Sequence, residues 1–586
     1  MEAPLPMSRA EMDRLGWSEL DVLLITGDAY VDHPAFGAAL LGRWLAAHGY
    51  RVGIVAQPHW DSTEDLTGLG RPRLFAGVTA GSLDSMLAHY TAFRKKRSDD
   101  AYTPGGRAGA RPNRATIVYT NLVRAAFPNL PVVIGGVEAS LRRATHYDFW
   151  SGHLRRSILL DAKADLLVYG MAESALLEVA NRLNGITTQE TALYGIPGTA
   201  FVTTAGSFNV PEKGRLIGLP SHEQIEADPK KLMIATLRLE QQVHAAAWAV
   251  QSVGKRHVIF APPSAPLTTE ELDMLYALPF TRCAHPSYKE PIPAMEMIQF
   301  SVTTHRGCAG GCSFCSLALH QGRRIQSRSR YSILKEVKGF RRHADWKGSL
   351  SDIGGPSANM WGSRCESDPS NCKRSSCLYP AICRNFKPAQ QSIIDLLTDI
   401  GELPGVRHVR VASGIRHDLA LREPRYLEAL VARFTGGQLK IAPEHICENV
   451  LRLMRKAAFE TFLEFMTVFE RESRRARKEQ YLIPYLMSAF PGCTDDDMRG
   501  LALWLRSQGW RPQQVQCFIP TPGTVATAMY YAGIDPDGNP IHVARTDADR
   551  MRQHYILAPL TKEGTETAGP QRPAQEKRPE SNRSGR

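Results

Sequence analysis

Short apolar runs that stop at a glycine or a small residue, each followed by an amphipathic stretch, constrain this chain more than any other feature. Residues 21–27 (DVLLITG) form such a run, too short for a helix and apolar on both faces, as a strand inside a parallel sheet would be. Residues 36–48 then place Leu40, Leu41, Trp44 and Leu45 at helical spacing, with Gly49 as the stop, and residues 51–56 supply the next strand. Further strands are expected at 73–78, 131–135 and 165–169. This alternation predicts an α/β fold that opens with a doubly wound parallel sheet in residues 1–182. It resumes near Met295, with strands expected at 298–303, 348–353, 406–412, 438–442, 480–488 and 514–519 and helices between them. Six such units predict a partial (β/α)6 barrel over residues 293–560, with its functional loops at the C-terminal ends of the strands. Residues 183–292 are rich in Pro, Gly and Thr between 195 and 220, carry helical patterns at 229–252 and 268–278, and read as a connecting region.

At roughly 100–200 residues per domain, 586 residues leave room for three or four domains. A content of 43% hydrophobic and 22% charged residues permits large cores. The formal charge of +12 suits an anionic partner such as a nucleic acid, which would use runs like 94–97 and 471–478. The second run continues an amphipathic helix, so its plain reading is a solvated face. Residues 561–586 are rich in Pro, Glu, Arg, Lys and Ser and read as a disordered tail. Residues 1–16 lack the apolar segment of a signal peptide, and no stretch approaches the ~20 apolar residues of a membrane span. The expectation is a cytoplasmic protein with no membrane partner, whose cysteines are thiols or metal ligands.

Those cysteines are unevenly placed: seven of the eleven fall between Cys308 and Cys383. The first three stand as Cys308-Ala-Gly-Gly-Cys312-Ser-Phe-Cys315, right after the first expected barrel strand. Thiolates are the soft anionic ligands that iron–sulfur clusters need, and three of them leave one iron of a cubane open to a small molecule. Gly307, Gly310 and Gly311 allow a tight loop whose amides can face cluster sulfurs. Phe314 offers a face for a purine. Zinc prefers four closed ligands, commonly in pairs, and fits a lone triplet poorly.

This motif resembles that of the radical S-adenosylmethionine (SAM) superfamily. Longer segments resemble the YgiQ family: 27–37 (GDAYVDHPAFG), 54–58 (IVAQP), 306–315 (RGCAGGCSFC), 352–360 (DIGGPSANM) and 412–416 (ASGIR). The resemblance spans about residues 21–534. It implies a [4Fe–4S] cluster on Cys308, Cys312 and Cys315. It also implies SAM bound at the open iron, reductive cleavage to a 5′-deoxyadenosyl radical, and a flavodoxin- or ferredoxin-like electron donor. By the same resemblance Gly354 and Gly355 occupy the turn that receives the cofactor's amino group, with Pro356 in place of the usual acid. Ser413 and Arg416 follow the third strand, where they could contact ribose or carboxylate. Glu444 and His445 follow the fourth, at the height of catalytic groups, and Phe490-Pro-Gly492 resembles a turn in radical methylthiotransferases.

The first domain resembles cobalamin-binding domains that precede some radical enzymes. Their Asp-x-His-x-x-Gly is altered here, because Asp32 and His33 are adjacent and Gly37 lies one residue further on. That departure counts against cobalt ligation by His33, and the expected role of the domain is to cover the barrel mouth. Cys365, Cys372, Cys377 and Cys383 lie in an insertion, residues 356–387, and predict a second metal, either another iron–sulfur cluster or zinc. The leading expectation is a radical SAM enzyme of open substrate. Its rivals are a cobalamin-dependent radical methyltransferase, a methylthiotransferase-like RNA-modifying enzyme, and a zinc-bearing protein without catalysis.

Overall fold

A computed structural model describes residues 3–185, 193–204, 215–367, 372–512 and 514–557. The tail expected at 561–586 lies outside these residues.

The apolar runs of the first domain become parallel strands at Val22–Thr26, Val52–Ala56, Phe75–Thr79, Val132–Gly135 and Leu166–Val168. In space the second strand lies outside the first, and the third, fourth and fifth follow on its other side, all parallel. Alternate side chains serve opposite faces. Leu23, Ile25, Val78 and Ile134 enter one core, while Val22, Leu24, Phe75 and Val133 enter the other. Both faces are covered by helices, which is why these runs lack the apolar–polar alternation of a half-exposed strand. The strand order reverses beside Val22–Thr26, and in such sheets the crevice at the reversal is where ligands bind.

Residues 183–292 do more than connect. Strands Thr199–Thr204, Leu216–Gly218, Trp248–Val253 and Arg256–Phe260 extend the sheet to nine strands. Three of the new pairings are antiparallel. The helix expected to run to residue 252 ends at His244, and Trp248–Val253 is the strand that follows it. The apolar pattern there was ambiguous, because a half-buried strand beside a helix extends the helix's run of large side chains without a break in composition.

The second domain is a partial barrel. Ser301–Thr303 pairs in parallel with Asp352–Gly354, and Ser349–Leu350 with His408–Val409. Ile415 bridges to Ile441, and Gln438–Glu444, Tyr481–Ser488 and Gln514–Cys517 complete the parallel series in chain order. The third strand is shorter than expected, and the first begins at Ser301 rather than at 298, because Ile298 ends the helix Pro293–Ile298. Residues Val302, Ile353, Val409 and Leu439 build the barrel core against helices such as Gln390–Glu402 and Phe459–Arg475.

Buried ion pairs join the domains. Arg306 Nη1 meets Glu173 Oε1 at 2.7 Å, and Arg455 holds Glu240 through two contacts of 2.6 and 3.1 Å. Between the domains lies a cavity of about 550 Å³. Thr26, Asp28, Gly81 and Gly136 line it from the first sheet, and Thr303, His305, Gly355 and Ser413 from the barrel. The C-terminal strand ends of both domains therefore meet at one space.

Candidate functional site

The first cysteine loop leaves the short strand His305–Arg306 and ends in the helix Leu317–Gln321. Gly307 has φ +85°, and a Cβ there would come 2.0 Å from the Arg324 carbonyl oxygen. Gly311 has φ +60°, and its Cβ would come 2.4 Å from the Ser375 carbonyl oxygen. Only glycine fits either position. The loop is pinned from three sides. Cys308 N–H donates to Gly322 O (3.1 Å), Ser313 Oγ to Leu453 O (2.7 Å), and Ala526 N–H to Ser313 O (2.9 Å).

Cys308, Cys312 and Cys315 keep partial exposure. Burial of the surroundings nevertheless pushes the Cys308 and Cys315 thiols up, Cys315 to about 12. Without a metal these two thiols hold their protons, so they are poor free nucleophiles. A metal would release those protons on binding. A 490 Å³ cavity reaches Cys312 and Cys315 from the side of Glu240, His244 and His320.

Cations face this set. Arg416 Nη1 donates to Cys312 Sγ at 3.7 Å. Its other guanidinium nitrogens grip Asp418 at 3.0 and 2.5 Å. Asn359 fixes the backbone of Arg416 on both sides, accepting from its N–H and donating to its carbonyl, each at 2.8 Å. Lys456, buried, lies within electrostatic reach of Cys308, His417, Asp418 and Glu444. Asn359 and Lys456 were not singled out from sequence. Lys456 follows an ordinary helix, Glu448–Met454, and nothing in its spacing ties it to a cysteine 148 positions earlier.

The expected site residues divide. Glu444 ends its strand after a register shift, with φ +71°, and its carboxylate turns toward Lys456 Nζ at 3.6 Å. Burial pushes its pKa up. Its charge is felt at Cys315. His445 turns away: Nδ1 accepts from Cys447 N–H (3.0 Å) and Nε2 lies 3.6 Å from Cys493 Sγ. Ser413 donates to Asp352 and, with it, lines the interdomain cavity. Gly354 and Gly355 let the first two strand ends approach, and a Cβ on Gly355 would come 2.7 Å from His305. Phe314 packs edge-to-face on Phe490, with centroids 6.1 Å apart.

His33 stays out of the interdomain cavity's wall. Its Nδ1 accepts from Ala35 N–H (3.1 Å), which takes the one lone pair a neutral imidazole offers, and its Nε2 lies 2.8 Å from Arg282 Nη1, while Asp32 is ion-paired with Arg43. Burial pushes the ring well below its usual pKa, so it is neutral with both nitrogens occupied. The ring therefore does not fit as a cobalt ligand. His33→Ala should leave any uptake of added cobalamin unchanged and lower the unfolding midpoint, checked by absorption spectra and thermal denaturation.

A family model described as Radical SAM N-terminal matches residues 4–301. The UPF0313 protein of Geobacter sulfurreducens is 53% identical over 559 residues, covering 94% of this chain and 92% of that protein. The UPF0313 protein of Thermotoga neapolitana is 48% identical over 568 residues, covering 94% and 98%. The chain belongs to the UPF0313, or YgiQ, family. This UPF0313 member also shares its fold with TsrM, a radical SAM methyltransferase from Kitasatospora setae. The structure of TsrM with tryptophan and a SAM analog matches at a TM-score of 0.51 and 14% identity, covering 92% of this chain and 89% of that one. The structure of TsrM with cobalamin and a [4Fe–4S] cluster matches at a TM-score of 0.50. The UPF0313 chain is thus a radical SAM protein with a cobalamin-binding-like first domain and a partial barrel. Among its described residues no helix is long and apolar enough to cross a membrane.

Proposed function

We propose that this protein is a radical SAM enzyme that holds a [4Fe–4S] cluster on Cys308, Cys312 and Cys315. When bound, the cluster supplies one electron to the SAM sulfonium, and the carbon–sulfur bond breaks to give methionine and a 5′-deoxyadenosyl radical. The observation that carries the reading is one glycine-pinned loop that holds three thiols within electrostatic reach of one another, with Arg416 donating to Cys312. Among the described residues no three His, Cys, Asp or Glu side chains converge as a single ion requires. A polynuclear cluster spreads its thiolates over several irons and makes no such demand.

The chain's own residues then have distinct work. Arg416, held rigid by Asp418 and Asn359, and Lys456 offset the negative charge of three thiolates gathered in a poorly solvated site. Glu444 is the carboxylate turned to the same space, available to accept from a hydroxyl or ammonium group of the cofactor. The substrate enters the interdomain cavity, where the first sheet shields it from water. The electron donor is proposed as a flavodoxin or ferredoxin, and the cytoplasm as the compartment.

A hydrogen bond to a charged group contributes about 1.5–3 kcal/mol, or roughly 10- to 100-fold in affinity. Glu444→Gln should therefore weaken SAM binding by about that factor with iron content unchanged. Equilibrium binding and iron analysis check this, and unaltered affinity removes Glu444 from the site. The assignment as a whole is tested by anaerobic reconstitution followed by a 5′-deoxyadenosine assay.

A further inference from the structure

The insertion at residues 356–387 is bonded directly to the first cysteine loop. Cys377 N–H donates to Ala309 O at 3.0 Å, and Ser376 Oγ to Gly310 O at 2.5 Å. Gly311 must be glycine because the insertion's Ser375 carbonyl presses on it. Cys308, Cys377 and Cys383 pack around one small apolar nucleus with Ala309, Leu378 and Phe386.

The insertion is also folded around its own cysteines. Arg364–Cys365 pairs with Phe386–Lys387 in an antiparallel ladder that sets Cys365 opposite Phe386. Phe386 N–H donates to Cys383 O (2.9 Å), and Cys383 N–H to Cys377 O (2.7 Å). Arg374 closes the turn between them through the carbonyls of Ser376, Tyr379 and Ala381. Cys365, Cys372 and Cys383 all lie within electrostatic reach of the Cys377 sulfur. So small a nucleus cannot hold a polar loop of this length, and small units of this kind are commonly held by a metal.

The geometry favours one kind of metal. Tetrahedral zinc needs four sulfurs at about 2.3 Å from one point. These four thiols are neighbours, yet no three of them converge on a point. A cluster of several irons suits that spread. We infer that Cys365, Cys372, Cys377 and Cys383 hold a second iron–sulfur cluster, which passes single electrons to the first cysteine loop across the Cys377–Ala309 contact. The relay rests on the function proposed above; the second metal site does not.

In each transfer a reduced flavodoxin or ferredoxin loses one electron and the second cluster gains it. The second cluster then returns to its oxidised state as the first is reduced. No bond is made or broken and no proton moves. The surface of the insertion suits an acidic donor, since exposed Arg364, Lys373, Arg384 and Lys387 outnumber its two acids, Glu366 and Asp368, of which Glu366 pairs with Arg364 and Lys387.

The test is iron, sulfide and zinc per chain after anaerobic reconstitution of the whole protein, with Mössbauer spectra. Wild type should hold about eight irons, and Cys308→Ala/Cys312→Ala/Cys315→Ala about four. Cys365→Ala/Cys377→Ala should lose about half the iron. Its 5′-deoxyadenosine production should be lost with reduced flavodoxin, and should fall far less with dithionite, which can reduce the first cluster directly. Zinc, or no metal, in a folded triple variant overturns the second cluster. Should the triple variant not fold, unchanged iron in Cys365→Ala/Cys377→Ala overturns it equally. An equal loss with both reductants overturns the relay. If the triple variant keeps its irons and also cleaves SAM like wild type, the first-site reading fails while the second cluster stands.

Discussion

Alanine at Cys308, Cys312 and Cys315 together should bring SAM-dependent 5′-deoxyadenosine production to background while the fold survives. The two outcomes separate because the loop's shape does not depend on its sulfurs. Its backbone is held by Gly307 and Gly311 in conformations closed to other residues, and by bonds from Cys308 N–H, Ser313 Oγ and Ala526 N–H. All three cysteines are partly exposed, so removing each sulfur leaves little cavity and should cost no more than about 1 kcal/mol. Arg416 would lose its contact with Cys312 and keep both bonds to Asp418. Circular dichroism and thermal denaturation read the fold, and chromatography of the nucleoside product reads the chemistry. Product formation at the wild-type rate would mean the radical does not arise at this loop.

Glu336→Gln should cost about 3–5 kcal/mol of stability, the largest single effect expected away from the cysteines. Glu336 lies on the helix Arg330–Gly339 and bridges Arg282 and Arg328 at once, with all three side chains at or below 10% exposure. The other partners of each guanidinium carry no charge: they include Gln299 O and the Phe340 ring for Arg282, and Thr303 O, the Ser332 hydroxyl and the Tyr276 ring for Arg328. A neutral amide would leave two buried positive charges side by side with nothing to offset them. Since Arg282 also lies against His33 and donates to the carbonyl of Ser301 beside the first barrel strand, the loss would loosen the seam between the domains. Chemical denaturation measures it. A change below about 1 kcal/mol would mean water already reaches the pair.

Much of this was legible in the sequence, for reasons that differ from residue to residue. The five parallel strands of the first sheet announced themselves because strands buried on both faces are uninterrupted apolar runs, whereas barrel strands such as Gln438–Glu444 alternate polar and apolar residues. The tight turn of the cysteine loop was legible because Gly307 and Gly311 mark where the backbone needs positive φ and no side chain. The four added strands of the first sheet were not, since Leu216–Gly218 is short and Trp248–Val253 follows a helix with only a few residues between. At the site, Glu444 and His445 are neighbours in sequence, and a register shift and one left-handed residue send one to the thiols and the other to Cys493. Lys456 reaches the site only through the fold, from an element that carries no motif, and Asn359 lies in the 352–360 segment, whose resemblance gave no role for it.

The most direct measurement of the central claim is the paramagnetic resonance spectrum of the reduced, reconstituted protein before and after SAM is added. The account predicts a reduced iron–sulfur signal, part of which disappears in Cys308→Ala/Cys312→Ala/Cys315→Ala. That same part should shift when SAM binds, because its open iron gains a ligand. A signal untouched by SAM, or one that survives whole in the triple variant, would contradict it.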